Sequence, residues 1–120
     1  MRILVVEDDP GVRALIRKTL ERNDYRVLEA SNGHEALSVA EMQELDLVLS
    51  DLVMPGMNGF QATRELSRDP RTARIPVLMV TTKGDETDRI WGMRQGAADY
   101  LVKPITEAQL VERVKAVLEG

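Results

Sequence analysis

Glu7, Asp8, Asp51, Thr81 and Lys103 are the residues whose types could do chemistry together. Each stands at the carboxyl end of a short apolar run. Glu7-Asp8-Asp9 follows Ile3–Val6, Ser50-Asp51 follows Leu45–Leu49, Thr81-Thr82 follows Ile75–Val80, and Lys103-Pro104 follows Tyr100–Val102. If these runs are parallel strands, their ends converge, and carboxylates, a hydroxyl and an ammonium share one small space. Two like charges ~4 Å apart repel by about 4 kcal/mol at a protein-like effective dielectric, so the cluster needs either proton uptake or a cation. An all-oxygen set without His or Cys suits a hard ion such as Mg²⁺, which uses one or two carboxylates and keeps waters. Lys103 then offers a point charge for a phosphoryl oxygen, and Thr81 a neutral donor. A carboxylate held in line with phosphorus is a nucleophile, and its product is an aspartyl phosphate. Asp9 stands apart: with Pro10 behind it, it reads as a helix cap.

The elements that must position these residues alternate along the whole chain. The four runs above and Tyr25–Leu28 are short and rich in Val, Ile and Leu, which predicts strands buried on both faces. Between them the spacing is helical. Val12, Leu15, Ile16 and Leu20 form one apolar stripe; Leu110, Val111, Val114, Val117 and Leu118 form another. Thr106 to Gln109 matches a capping box, and Ser31-Asn32-Gly33, Asn58-Gly59 and Gly84-Asp85 mark further turns and helix starts. A fourth helix is expected over Glu86 to Gln95, weakened by Gly92. Strands alternating with helices predict an α/β fold, a three-layer αβα sandwich around a parallel sheet with right-handed crossovers. Ligands of such sheets bind outside the carboxyl ends of the strands, where the candidate residues lie.

Length and composition narrow the function. A chain of 120 residues, 43% of them hydrophobic, fits one domain (1–120) with an ordinary core. A net charge of −4 argues against nucleic acid as a direct partner. The lack of cysteine removes disulfides, thiolate metal sites and a Cys nucleophile. No run approaches the ~20 apolar residues of a membrane span, and Met1 to Val6 meets acids too soon for a signal peptide, so a soluble, cytoplasmic protein is expected. There is no G-x-G-x-x-G and no P-loop, and Glu7-Asp8-Asp9-Pro10 stands where a flavin fold would need a Ser/Thr/Gly-rich phosphate loop.

Taken in order, Ile3-Leu4-Val5-Val6-Glu7-Asp8-Asp9, Ser50 to Gly59, Val80-Thr81-Thr82 and Tyr100-Leu101-Val102-Lys103-Pro104 resemble the receiver domains of bacterial two-component response regulators. The resemblance covers the whole chain. It implies the CheY-like sheet order 2-1-3-4-5 and Asp51 as phosphoacceptor. It also implies Mg²⁺ (or Mn²⁺ in its place) on Asp8, Asp51 and the Val53 backbone carbonyl, with Glu7 acting through water. Thr81 and Tyr100 resemble the family's switch pair, whose hydroxyl moves to the phosphoryl group while the ring turns inward. Lys103 would pair with the phosphoryl oxygens, and Lys103-Pro104 would be a cis peptide. Val53 and Lys83, two residues beyond Asp51 and Thr81, fall at rate-tuning positions; apolar Val53 and long Lys83 are expected to hinder water and lengthen the phosphoryl lifetime.

The resemblance further implies a sensor histidine kinase or phosphotransfer domain as donor. It implies a downstream protein target on the face of the fourth helix, fifth strand and fifth helix, and a monomer or a weak dimer on phosphorylation. With the chain stopping after its last helix, a stand-alone receiver with no output domain is expected, a phosphoacceptor and not a turnover enzyme. Asn58 to Arg64, Thr81 to Lys83, Glu86 to Asp88, Trp91-Gly92, Arg94 to Ala97 and Asp99-Tyr100 are more narrowly similar to stand-alone regulators of type IV pilus twitching motility. A non-phosphorylated pseudo-receiver, or a designed or chimeric receiver, acting as a binding module is the alternative reading. Trp91 reads as partly packed on the sheet, with partner anchoring as the other role. His34 reads as a surface residue.

Overall fold

The computed structural model describes residues 1–120. Five strands alternate with five helices: β1 (Arg2–Val6), α1 (Pro10–Arg22), β2 (Arg26–Ala30), α2 (Gly33–Met42), β3 (Leu47–Ser50), α3 (Gly59–Arg68), β4 (Val77–Thr81), α4 (Glu86–Arg94), β5 (Asp99–Val102) and α5 (Glu107–Glu119). All strand pairs are parallel and the order is β2-β1-β3-β4-β5. The expected sheet order is therefore observed. Strand order reverses between β1 and β3, which opens a crevice above their carboxyl ends.

The two-residue period of the strands sorts the core into two layers. Ile3, Val5, Leu47, Leu49, Leu78, Val80 and Leu101 face α1 and α5, where Ile16, Leu20, Leu110 and Val114 cover them. Leu4, Val6, Val48, Val77, Met79 and Tyr100 face the other way, against Ala36 and Ala40 of α2 and Leu66 of α3. Fully burying one such Val, Leu or Ile side chain contributes about 1.5–3 kcal/mol, so both layers hold the strand ends in register. No helix is long and apolar enough to cross a membrane.

Helix starts follow the cap chemistry. Asp9 accepts from the Gly11 and Val12 amides at 2.8 and 3.2 Å, with Pro10 as first helical residue. Asn58 with Gln61 and Thr106 with Gln109 close reciprocal capping boxes on α3 and α5. Asn32 caps α2 through the Glu35 amide, whereas Asp85 starts α4 without a side-chain cap bond.

Several expectations shift. Strand β2 is not buried on both faces: it is the sheet edge, with Arg26 exposed and Val27, Leu28 and Glu29 half-buried. It runs from Arg26 and not Tyr25, because Asp24 turns the chain in the left-handed region (φ 68°) and the Tyr25 amide still bonds back to Leu20. Strand β3 begins two residues later than Leu45, at Leu47. Strand β4 begins at Val77, after Pro76, which has no N–H for the ladder. Leu15, expected in the α1 stripe, is 60% exposed.

Candidate functional site

Sheet hydrogen bonds carry the reactive side chains to the crevice. The Glu7 amide donates to the Ala30 carbonyl of β2, and the Asp51 amide donates to the Val6 carbonyl of β1, both at 3.0 Å. The Lys103 amide donates to the Thr81 carbonyl at 2.8 Å, which sets β5's last turn beside β4's end. Lys103-Pro104 is cis, as the resemblance implied.

Carboxylate oxygens of Glu7, Asp8 and Asp51 lie within 4.8 Å of one another. Glu7 and Asp51 are buried and Asp8 is exposed. Lys103 Nζ reaches in to 3.6 Å from Glu7 Oε2 and 3.9 Å from Asp51 Oδ2. Burial, then the charge of Asp51, push the Glu7 carboxyl up to about 7, and the Lys103 ammonium opposes them. The repulsion that remains beside Lys103 and the all-oxygen character of this set fit a hard divalent cation, which would offset that repulsion. Asp51 is also oriented: its Oδ1 accepts from the Leu52 amide at 2.7 Å, leaving Oδ2 toward Lys103.

Gly59 lets α3 begin directly under this site. Its amide donates to the Leu52 carbonyl at 2.8 Å, and a Cβ there would sit 2.4 Å from the Asp51 carbonyl oxygen. Only glycine permits that approach.

A second group of contacts flanks the acids. Thr81 is fully buried, and its Oγ1 accepts from the Lys83 amide at 3.3 Å. The Tyr100 ring is buried and its hydroxyl donates to the Lys83 carbonyl at 2.6 Å. Burial, then the charges of Asp88, Asp51 and Asp85, hold this phenol above its ordinary range. Thr81 and Tyr100 are thus joined through one peptide segment.

Of the residues singled out from sequence, Glu7, Asp8, Asp51 and Lys103 meet at the crevice, with Thr81 closing the end of β4. Val53 lies on the adjoining loop with its side chain 53% exposed, and Lys83 is exposed at the mouth of the β4–α4 loop. Asp9 is turned onto its own helix. His34 is exposed on α2, and Trp91 is 48% exposed on α4 beside exposed Ile90. Sequence reasoning missed Arg13, whose Nη1 donates to the Glu7 carbonyl at 2.8 Å, and the Lys83 backbone as a link. Arg13 has no motif; its one signal is its place in the first turn of the helix that follows the acids.

A parallel 2-1-3-4-5 sheet with acids on the first and third strands and a Lys-Pro after the fifth defines a signalling module of the two-component type. The chain belongs to the response regulator receiver domain family, whose match spans residues 3–115. Phosphorylation and magnesium binding are typical of that family. Among its relatives, protein PilH of Pseudomonas aeruginosa is 50% identical over 119 residues, covering 99% of this chain and 98% of that protein. The chain spans about half the length of the transcriptional regulatory proteins it also matches. Of solved structures, chemotaxis response regulator CheY4 of Vibrio cholerae superposes with a TM-score of 0.91 at 31% identity, over 97% of each chain. The receiver domain of sensor histidine kinase PA1611 from Pseudomonas aeruginosa has magnesium coordinated in its active-site cleft. It superposes with a TM-score of 0.92 at 32% identity, over 99% of this chain and 98% of that one.

Proposed function

We propose that Asp51 accepts a phosphoryl group from a phosphohistidine, and that the aspartyl phosphate changes the surface this domain presents to a protein partner. The observation that carries the reading is the meeting of the Glu7, Asp8 and Asp51 carboxylates within 4.8 Å, with Lys103 Nζ 3.9 Å from Asp51. Glu7, Asp8, Asp51 and the Val53 carbonyl would hold Mg²⁺, with Glu7 acting through water. The ion would supply charge compensation for the acids and for phosphoryl oxygens. In the transfer, an Asp51 oxygen forms the new bond to phosphorus while the P–N bond of the donor breaks and imidazole leaves. Lys103 takes a phosphoryl oxygen in place of its present carboxylate partners, and the Thr81 hydroxyl donates to another. Leu52 N–H keeps Asp51 Oδ1 occupied, which directs Oδ2 to the nucleophilic role.

Such a site modifies itself and needs no pocket for an outside substrate, consistent with signalling and not turnover. A histidine kinase or phosphotransfer domain is the donor. The 50% identity to PilH over nearly its whole length supports a role in chemotaxis-like, twitching-motility signalling. The exposed Ile90, Trp91 and Val102 on α4 and β5 support the α4-β5-α5 face as the output surface.

The test is an intact-mass measurement after incubation with acetyl phosphate and Mg²⁺. One phosphate increment that requires the metal and vanishes in Asp51→Asn is expected. Mg²⁺ binding with no increment would leave the domain a non-phosphorylated binding module.

A further inference from the structure

The peptide that joins Glu7 to Asp8 lies beyond the last residue of β1, where the sheet ladder no longer governs it. The peptide before it, Val6–Glu7, is anchored, because the Glu7 amide donates to the Ala30 carbonyl. The carbonyl of the Glu7–Asp8 peptide receives the Arg13 guanidinium, Nη1 to oxygen at 2.8 Å. The backbone torsions on either side of this peptide set where the exposed Asp8 carboxylate lies relative to the buried Glu7. Arg13 is itself held. Its Nε lies 3.7 Å from Glu29 Oε1, and the other Glu29 oxygen takes Arg17 Nη1 at 3.3 Å. The Arg13 side chain is about four-fifths buried, so its bond to the carbonyl is partly shielded from water.

We propose that Arg13 is a positioning residue for the divalent-cation site, fixing the Glu7–Asp8 peptide from α1 with Glu29 of β2 as its brace. This rests on the reading that the acids bind Mg²⁺. Supporting partners of metal ligands typically alter affinity 10- to 100-fold when removed, and a backbone carbonyl between two acids is a comparable point of control. The sign of the effect separates positioning from charge. Arg13 is a cation near a cation site, so removing its charge alone would tighten Mg²⁺ binding. Loss of positioning weakens it.

The experiment is calorimetric Mg²⁺ titration of the metal-free protein, with thermal unfolding of each variant alongside. Arg13→Ala is expected to weaken Mg²⁺ about tenfold. Arg13→Lys, which keeps one donor and the charge, is expected to recover most of that loss. Arg17→Ala removes a cation from the same Glu29 but no contact with Glu7, and is expected to leave Mg²⁺ affinity within about twofold. Should Arg13→Ala fail to fold, Arg13→Gln carries the same comparison. Unchanged or tighter binding in the Arg13 variant, or equal weakening in Arg17→Ala, overturns the inference. Absence of Mg²⁺ binding by the wild-type protein would instead overturn the reading of the site itself.

Discussion

Tyr100 and Thr81 are coupled through the backbone of Lys83: the phenol donates to its carbonyl at 2.6 Å while its amide donates to Thr81 Oγ1 at 3.3 Å. Movement of the threonine toward a phosphoryl oxygen must therefore break or drag a bond that also bears on the tyrosine. The ring already stands inward in this structure, in the space between α4 and β4.

Gly92 provides that space. A Cβ at Gly92 would lie 3.0 Å from Tyr100 Cδ2 and 3.1 Å from Met79 Sδ. Gly92→Ala is expected to crowd the ring outward and weaken its bond to Lys83. It would cost about 1–2 kcal/mol, despite the gain in helix propensity. Urea unfolding gives the stability, and the Tyr100 ring signals in NMR give the displacement. A stabilised variant with an unmoved ring would refute this account.

Lys83 enters the coupling through main-chain atoms, so Lys83→Ala leaves both bonds available. Any change in phosphoryl lifetime is then the work of its ammonium and stem. A severalfold faster loss of phosphate is expected from a radiolabelled aspartyl phosphate of Lys83→Ala. An unchanged rate would remove Lys83 from the residues that hinder water.

The Glu7 carboxyl moves from 4.5 to about 7 on folding. A raised acid pKa means that the fold favours the protonated form. The corresponding stability is fully present below pH 4.5 and is lost as pH rises through about 7. The effect is about 3 kcal/mol at most. In metal-free protein, the stability of wild type relative to Glu7→Gln is expected to fall between pH 5 and 8, roughly following that titration. Denaturant midpoints across that window test it; a difference that stays flat would contradict it.

Gly59→Ala places a methyl 2.4 Å from the Asp51 carbonyl oxygen and 2.8 Å from Leu52 Cα, both main-chain atoms. The helix or the strand end must move. A loss of about 2–3 kcal/mol is expected, with slower phosphorylation of Asp51 from acetyl phosphate. Wild-type stability in denaturant together with a wild-type rate would show that the close approach is dispensable.

Much of the molecule was legible in residue order. Strand-end acids, Asp-Pro and the Asn58 and Thr106 caps act over a few residues, so local chemistry alone placed the helices and the crevice residues. Parallel strands then had to bring Glu7, Asp8, Asp51 and Lys103 to one edge, since crossover connections return every strand in the same direction. The sheet order came from family resemblance, not from periodicity. That is why the exposure of β2 was misjudged: an apolar run does not say whether a second neighbour pairs with it. Only the tertiary structure decided that Arg13 reaches the Glu7 carbonyl, that Lys103 lies nearer Glu7 than Asp51, and that the Tyr100 ring sits against Gly92. Those outcomes depend on which rotamers fit between packed helices and strands. That fit is settled by volume and hydrogen-bond geometry across the assembled core, where residues distant in sequence first meet.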